Sequence, residues 1–306
     1  MVTYCIAAHT RPGQTRRLID RLLTDDPNCK VVFHYDQRQE RLDLQELVDP
    51  RITILPERPA NWGTFGMVEV FMEMMRAAVA ERNCSYLVLL SGQDYPLRNI
   101  SDLESELAQF DVWADVRPLI ADGGATSWPE GLRRYSYRWR YVANPGLLLE
   151  GLDRVAAKVP GIELSSSPPP FPRIVHFRQR GQLWWGYRDL AGPGTPIYVG
   201  SSWMSLSRRA ALAVLSTPRR VVSFFRRVPM PDEACFHTIL GNAAGLTFAT
   251  GNRRFIRFDE KESPEILTIY DLEMLLQSGA HFARKFDDQI DGTVLDLLDA
   301  RLDGAK

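Results

Sequence analysis

Apolar positions fall in two patterns along the chain: short continuous runs, and longer stretches with helical spacing. VTYCIAAH, residues Val2 to His9, is a run of buried-strand character that ends on a polar residue. TRPG turns the chain, and Gln14 to Leu23 has the spacing of a helix. CKVVFHYD is a second run, ending at His34 and Asp36, and Thr53 to Leu55 is a short strand candidate. After NWGTFG, Val70, Met74 and Ala77 fall on one face of a predicted helix. Tyr86 to Leu90 is a third strand, followed by the polar loop SGQDYPLR. Ser101 with Glu104 three residues later reads as a capping box that opens another helix.

Strand and helix in alternation predict an α/β protein with a mostly parallel central sheet and helices on both faces. Such sheets bind ligands at the carboxyl ends of their strands. Three predicted ends carry polar clusters: His9-Thr10-Arg11, His34-Tyr35-Asp36 and Ser91-Gly92-Gln93-Asp94. Each alone reads as a solvated or turn-forming group; together they point to a site. Further on, Arg133 to Val142 is basic and aromatic, and its alternation fits a strand or an amphipathic stretch. LLLEGLDRVAAKV reads as a helix and SSSPPPFPR as a linker or surface loop. A strand from Ile197 leads into a helix, and Tyr270 to Leu276 forms another.

Composition narrows the function classes. Of 306 residues, 45% are hydrophobic and 25% charged, enough for a substantial core. The net charge of -1 gives no signature of a nucleic-acid binder. Cys5, Cys29, Cys84 and Cys235 form no zinc pattern, and Cys5 and Cys84 sit in strand-like runs as expected buried thiols. A reducing compartment is the expectation. No stretch reaches the length of a membrane span, and the N-terminus has no secretory signal. The chain also lacks a P-loop, a GxGxxG after the first strand, a GxSxG elbow and an HExxH motif. Asp-x-Asp is missing too, so no clustered oxygen ligands for a nucleotide-bound metal are legible.

What remains is carboxylates at strand ends and basic clusters near the C-terminus. In VPMPDEACFHTILGN, Asp232 and Glu233 fit the first turn of a helix, where negative charge is favoured. A carboxylate fixed there could equally take a proton from an incoming hydroxyl. His237, four residues after Glu233, has helix spacing for a shared metal, but lacks an evident third ligand; packing is its plainer reading. Arg253 to Arg257, RRFIR, reads as a solvated run or an anion site. ARK, Ala283 to Lys285, stands between Phe282 and Phe286 and so is pinned into the fold. Its side chains are donors suited to phosphate.

Five blocks together resemble the core-2/I-branching N-acetylglucosaminyltransferase and protein xylosyltransferase family: HYD, NWGTFGMVEVFMEMMRAAV, YLVLLSGQDYPLR, GSSWMSLSRR followed by PDEACFHTILGN, and FARKFD. The resemblance implies a GT-A-type fold and an inverting, metal-independent glycosyltransferase with no cofactor. It implies a UDP-sugar donor, of xylose or N-acetylglucosamine, and a glycan or glycoside acceptor. By the same resemblance Glu233 is the catalytic base, and Arg284 and Lys285 hold the diphosphate. The branching enzymes have Asn where this chain has Arg284, and their separate upstream arginine has no secure place in ESPEILTIYDLE. ARK and CFHTIL look more like the xylosyltransferase side.

Within that frame the nucleotide falls to His9, Thr10, Arg11 and Asp36, at the ends of the first two strands. Asp94 is placed against the donor sugar or as a brace for its loop. Trp184 and Trp185 offer an apolar platform to the acceptor, or else pack in the core. The expected organisation is one catalytic domain over 1–306, with a nucleotide half at 1–120 and an acceptor half at 121–306. Animal members carry an anchor and several disulfides. The expectation here is a bacterial member in the cytoplasm or at the periphery of the membrane's inner face, with no nucleic-acid partner. A rival from another class is a nucleotide-sugar or glycan-binding protein of the same fold that has lost turnover.

Overall fold

A computed structural model describes residues 1–61, 63–100, 103–119, 194–258 and 263–304, with Tyr135 and the backbone of three strands between 137 and 187. The six-stranded main sheet has the order β3-β2-β1-β4-β12-β6. Its strands are β1 (Val2–Ala8), β2 (Lys30–Tyr35), β3 (Ile52–Ile54), β4 (Tyr86–Ser91), β6 (Val112–Trp113) and β12 (Ser205–Ser207). The first four run parallel, as the alternation of strand and helix predicts. The exception is β12, which lies antiparallel between β4 and β6. Sequence reading missed this strand, because its three residues are too short to show a pattern. The expected strand at Ile197 is β11 (Tyr198–Val199), which pairs outside the main sheet with β7 (Arg117–Pro118).

Each face of the sheet has its own core. Val2, Tyr4, Ile6 and Ala8 of β1 pack on one face with Leu18, Ile19 and Leu22 of α1 (Pro12–Asp25). Cys5 and Ala7, the alternate positions, pack on the other with Val68, Phe71 and Met75 of α2 (Phe65–Ala80). Burial on both faces explains why β1 reads as an unbroken apolar run. All four cysteines are buried and free.

One detail differs from the sequence reading. Helix α1 starts at Pro12, whose fixed φ suits the first helical turn, rather than at Gln14. Glu104, in α3 (Leu103–Leu107), pairs with the N-terminal ammonium group and the Ser85 hydroxyl. Its expected capping partner Ser101 lies outside the described residues. The predicted helix at Tyr270 is present as a turn, Ile269–Asp271, continuing into the helix Leu272–Gln277, with Thr268 and Asp271 forming the capping box.

A second, three-stranded sheet positions the C-terminal chemistry. It has the order β13-β14-β5, with β5 at Tyr95–Pro96, β13 at Arg254–Ile256 and β14 at Phe282–Arg284. β14 lies parallel to β13 and antiparallel to β5. It therefore carries ARK to the strand that directly follows SGQD. A third small sheet joins β8 (Tyr137–Tyr141), β10 (Gln182–Tyr187) and β9 (His176–Arg178). The remaining predictions for 142–175 lie outside the described residues.

Candidate active site

A cleft of about 500 Å³ opens at the carboxyl ends of β1, β2 and β4. Large clefts at such strand ends are where α/β sheets bind ligands. His9 and Thr10 line it beyond β1, Asp36 beyond β2, and Ser91 with Gln93 beyond β4. Close packing shapes this rim. A Cβ at Gly92 would lie 2.4 Å from Thr15 Oγ1 and 2.7 Å from Ala8 Cβ. Only glycine lets the loop after β4 approach the start of α1 this closely.

Asp36 is buried and fully engaged by the protein. It accepts from Arg38 Nε at 2.8 Å and from the backbone N–H of Arg38 and Ala60 at 3.2 and 3.1 Å. The Arg38 guanidinium, helped by these N–H groups, holds its carboxyl well below the usual range. Arg38 also reaches Asn61 Oδ1 at 2.9 Å and lines the cleft itself.

Arg11 does not line the cleft among the described residues. Its fork is engaged by Asp287, with Nε and one terminal nitrogen each 2.7 Å from a carboxylate oxygen. The pair ties the start of α1 to the FARKFD segment. Gln14 adds to the tie by donating to the carbonyls of Gly92 and Phe286, each at 3.2 Å. Asp94 is wholly buried beneath the cleft and braces its own loop by accepting from the Ser91 N–H. Trp184 and Trp185 lie on the backbone of β10, and their side chains are outside the described residues.

Asp232 and Glu233 both line the cleft. They sit in a 3-10 turn, Pro231–Glu233, just before the helix Cys235–Gly241. This turn is bound to the loop that carries GSSW. The Ser202 hydroxyl donates to Asp232 at 2.6 Å, and the Gly200 N–H donates to the Glu233 carbonyl at 2.9 Å. His237 Nε2 lies 3.0 Å from the Ser201 carbonyl, which assigns the proton to that nitrogen. Burial pushes the imidazole down to about 4, so the ring is neutral at physiological pH. Among the described residues no group of three side chains could hold a metal ion, and His237 acts as a packed donor.

The cations come from Arg284, the last residue of β14, and Lys285, which follows it. Arg284 and Lys285 line the cleft. The Arg284 guanidinium stacks 4.3 Å from the centre of the Trp203 ring, with Nε 3.7 Å from Asp94. Burial lowers its pKa, as it lowers that of half-buried Lys285, where the neighbouring Arg284 charge adds to the effect. The cleft thus brings together a carboxylate on one wall and two partly desolvated cations on another. Sequence reasoning missed Trp203, Ser201, Ser202 and Arg38 as cleft residues. The first three stand in the block GSSWMSLSRR, so a signal was present without an assigned role.

Parts of the chain resemble known proteins. Residues 2–118 match the family model of the Core-2/I-Branching enzyme. The chain is 27% identical over 328 residues, covering 98% of its length, to β-glucuronosyltransferase GlcAT14B of Arabidopsis thaliana. It is 34% identical over 137 residues, 42% of the chain, to GlcAT14A of the same plant. Xylosyltransferase 2 of Homo sapiens is 23% identical over 337 residues, 99% of the chain. The chain spans 66% of the length of the first, 30% of the second and 34% of the third. Over the parts matched, the chain is similar to core-2/I-branching enzymes and to glucuronosyl- and xylosyltransferases. No helix among the described residues is long and apolar enough to cross a membrane.

Proposed function

We propose that this chain is an inverting glycosyltransferase of GT-A type that moves a sugar from a UDP donor to an acceptor hydroxyl, forming a β-linkage. The observation that carries the reading is the meeting of Glu233 with Arg284 and Lys285 in one cleft at the strand ends. That cleft draws on both halves of the chain, 1–120 and 121–306, as a single catalytic domain requires.

In the reaction the acceptor oxygen attacks the anomeric carbon from the face opposite the diphosphate. The new C–O bond forms as the bond to the β-phosphate oxygen breaks, and the electron pair leaves with UDP. Glu233 takes the acceptor's proton, because an alcohol is a weak nucleophile. Arg284 and Lys285 stabilise the charge that grows on the leaving phosphate. Fixed cations in the cleft make the step independent of a divalent metal. His9, Thr10 and the Asp36–Arg38 pair form the nucleoside end. Asp94 acts from below, and Arg11 fixes the segment that carries Lys285.

Xylose and N-acetylglucosamine are the donor sugars the sequence resemblance favours. Glucuronate is a second reading, because the two Arabidopsis relatives are glucuronosyltransferases. The acceptor is a glycan or a glycoside, and the setting is the cytoplasm or the membrane's inner periphery. A screen of UDP-xylose, UDP-N-acetylglucosamine and UDP-glucuronate, read by UDP release with and without EDTA, tests the proposal. Release with one donor that survives EDTA is expected. Binding of UDP-sugars without turnover under any condition favours the non-catalytic rival instead. Complete loss on chelation with recovery on Mn²⁺ contradicts the metal-independent mechanism.

A further inference from the structure

RRFIR reads from sequence as a solvated charge run or an anion site, and the structure leaves Arg254 half-buried with its Nε atom shielded from solvent. It stands in β13 opposite Phe282, while Ile256 stands opposite Arg284. Residues paired across strands, and residues two apart along one, share a face of the sheet. Arg254 and Arg284 therefore lie on the same face, two positions apart in register. On the other side of β14, Ala283 pairs with Tyr95, so Asp94 falls next to Arg284.

The local charge balance is uneven. Two guanidinium groups feel one wholly buried carboxylate, that of Asp94, which lies 3.7 Å from Arg284 Nε. Asp94 Oδ1 and the Nε atoms of both arginines are buried and lack a hydrogen-bond partner among the described residues. Arg254 is held in place by the Asn252 carbonyl and the Ser205 hydroxyl, each at 3.2 Å, and its guanidinium lies 4.8 Å from the Phe282 ring centre. Desolvation pulls it down to about 10, with Asp94 as the main opposing charge, so it stays cationic at neutral pH. Arg254 does not line the cleft. A buried cation surplus is costly unless an anion arrives to balance it.

We propose that Arg254 is a positioning residue for the diphosphate: by sharing the buried Asp94 carboxylate, it leaves the Arg284 charge available to the ligand in the cleft. Without Arg254, Asp94 would neutralise Arg284 and the anion site would lose its charge. The inference rests on the proposed diphosphate role of Arg284, and the test separates the two.

Calorimetric affinities for UDP and for inorganic pyrophosphate are measured on the intact chain, with uridine as the phosphate-free control. Arg254→Met should weaken both anions by on the order of tenfold or more, the scale of one unit charge acting nearby in a partly dry site. Arg254→Lys should restore most of the loss. Asp94→Asn alone should tighten anion binding, because it frees Arg284. The double variant Arg254→Met/Asp94→Asn should bind better than Arg254→Met, and by a larger factor than Asp94→Asn gains in the wild type, whereas a merely structural Arg254 gives equal gains in both backgrounds. Wild-type affinity in folded Arg254→Met, or a double variant weaker than Arg254→Met, overturns the proposal. If Arg254→Met does not fold, Asp94→Asn decides: weaker or unchanged anion affinity refutes the charge sharing. A wild-type chain that binds pyrophosphate but not UDP removes the nucleotide reading and leaves the Arg254 cycle to be scored on pyrophosphate. One that binds neither removes both.

Discussion

His237→Gln isolates what the buried imidazole does. The ring is fully buried, Nε2 donates to the Ser201 carbonyl, and Nδ1 has no partner among the described residues. Burial sets its folded pKa at about 4, below the value near 6.5 of an unfolded chain. The unfolded state therefore binds more protons as the pH drops. The stability from a neutral His237 is full above about pH 6.5 and is lost as the pH falls towards 4. The slope is about 1.4 kcal/mol per pH unit, which gives about 2 kcal/mol at pH 5 and about 3 kcal/mol in all. His281 is also lowered to about 4 by burial and adds a slope of its own, so the useful quantity is the difference between two proteins. Gln keeps an amide donor for Ser201 but cannot titrate. At neutral pH the variant should be less stable by about 1 kcal/mol through poorer hydrogen-bond geometry. Urea unfolding at several pH values then reads the gap. It should narrow and then reverse, moving by about 2 kcal/mol between pH 7 and pH 5 and changing sign about midway. A gap that stays constant with pH would refute the reasoning, since it would mean that the ring titrates in the fold as it does in water.

Lys285→Ala and Arg284→Ala should each lower kcat/KM for UDP-sugar by roughly 10²-fold or more, the scale of a lost transition-state charge contact. Steady-state kinetics on folded variants checks this, and full kcat/KM in either would move the diphosphate elsewhere. Gly200→Ala should destabilise the protein by about 3 kcal/mol or more, because overpacking against backbone leaves no rotamer to relieve it. Its Cβ would lie 1.7 Å from the Asp115 carbonyl oxygen, and thermal unfolding reads the loss. Asp232→Asn should cost less transfer activity than any change at Glu233, because Asp232 is held by Ser202.

The parallel part of the fold was legible because β1, β2 and β4 are buried on both faces and so read as unbroken apolar runs. The strand-end rule then brought His9, Thr10 and Asp36 to the cleft. Arg11 obeyed the same rule in sequence but not in space. Its carboxylate partner Asp287 is 276 residues away, and no local pattern announces such a pair. The three residues of β12 likewise carry too little periodicity to reveal an antiparallel insertion. Arg254 was hidden for a related reason. A charged run on a three-residue strand looks solvated until β14 pairs beside it. Glu233 stayed ambiguous in sequence, since a carboxylate at a helix start has an ordinary electrostatic explanation. The structure sets it in the 3-10 turn before the helix, on the wall of the cleft.

Glu233→Gln tests the central claim most directly. Gln keeps the size and the acceptor oxygen but cannot take the acceptor's proton to become a neutral acid. Calorimetry with UDP and initial-rate transfer are measured on the same folded variant, with the donor that the screen identifies. The account predicts UDP affinity close to wild type and transfer lower by roughly 10²- to 10⁴-fold, the range for a lost general base. Near-wild-type transfer by folded Glu233→Gln would contradict it and return Glu233 to the helix start as an ordinary polar residue.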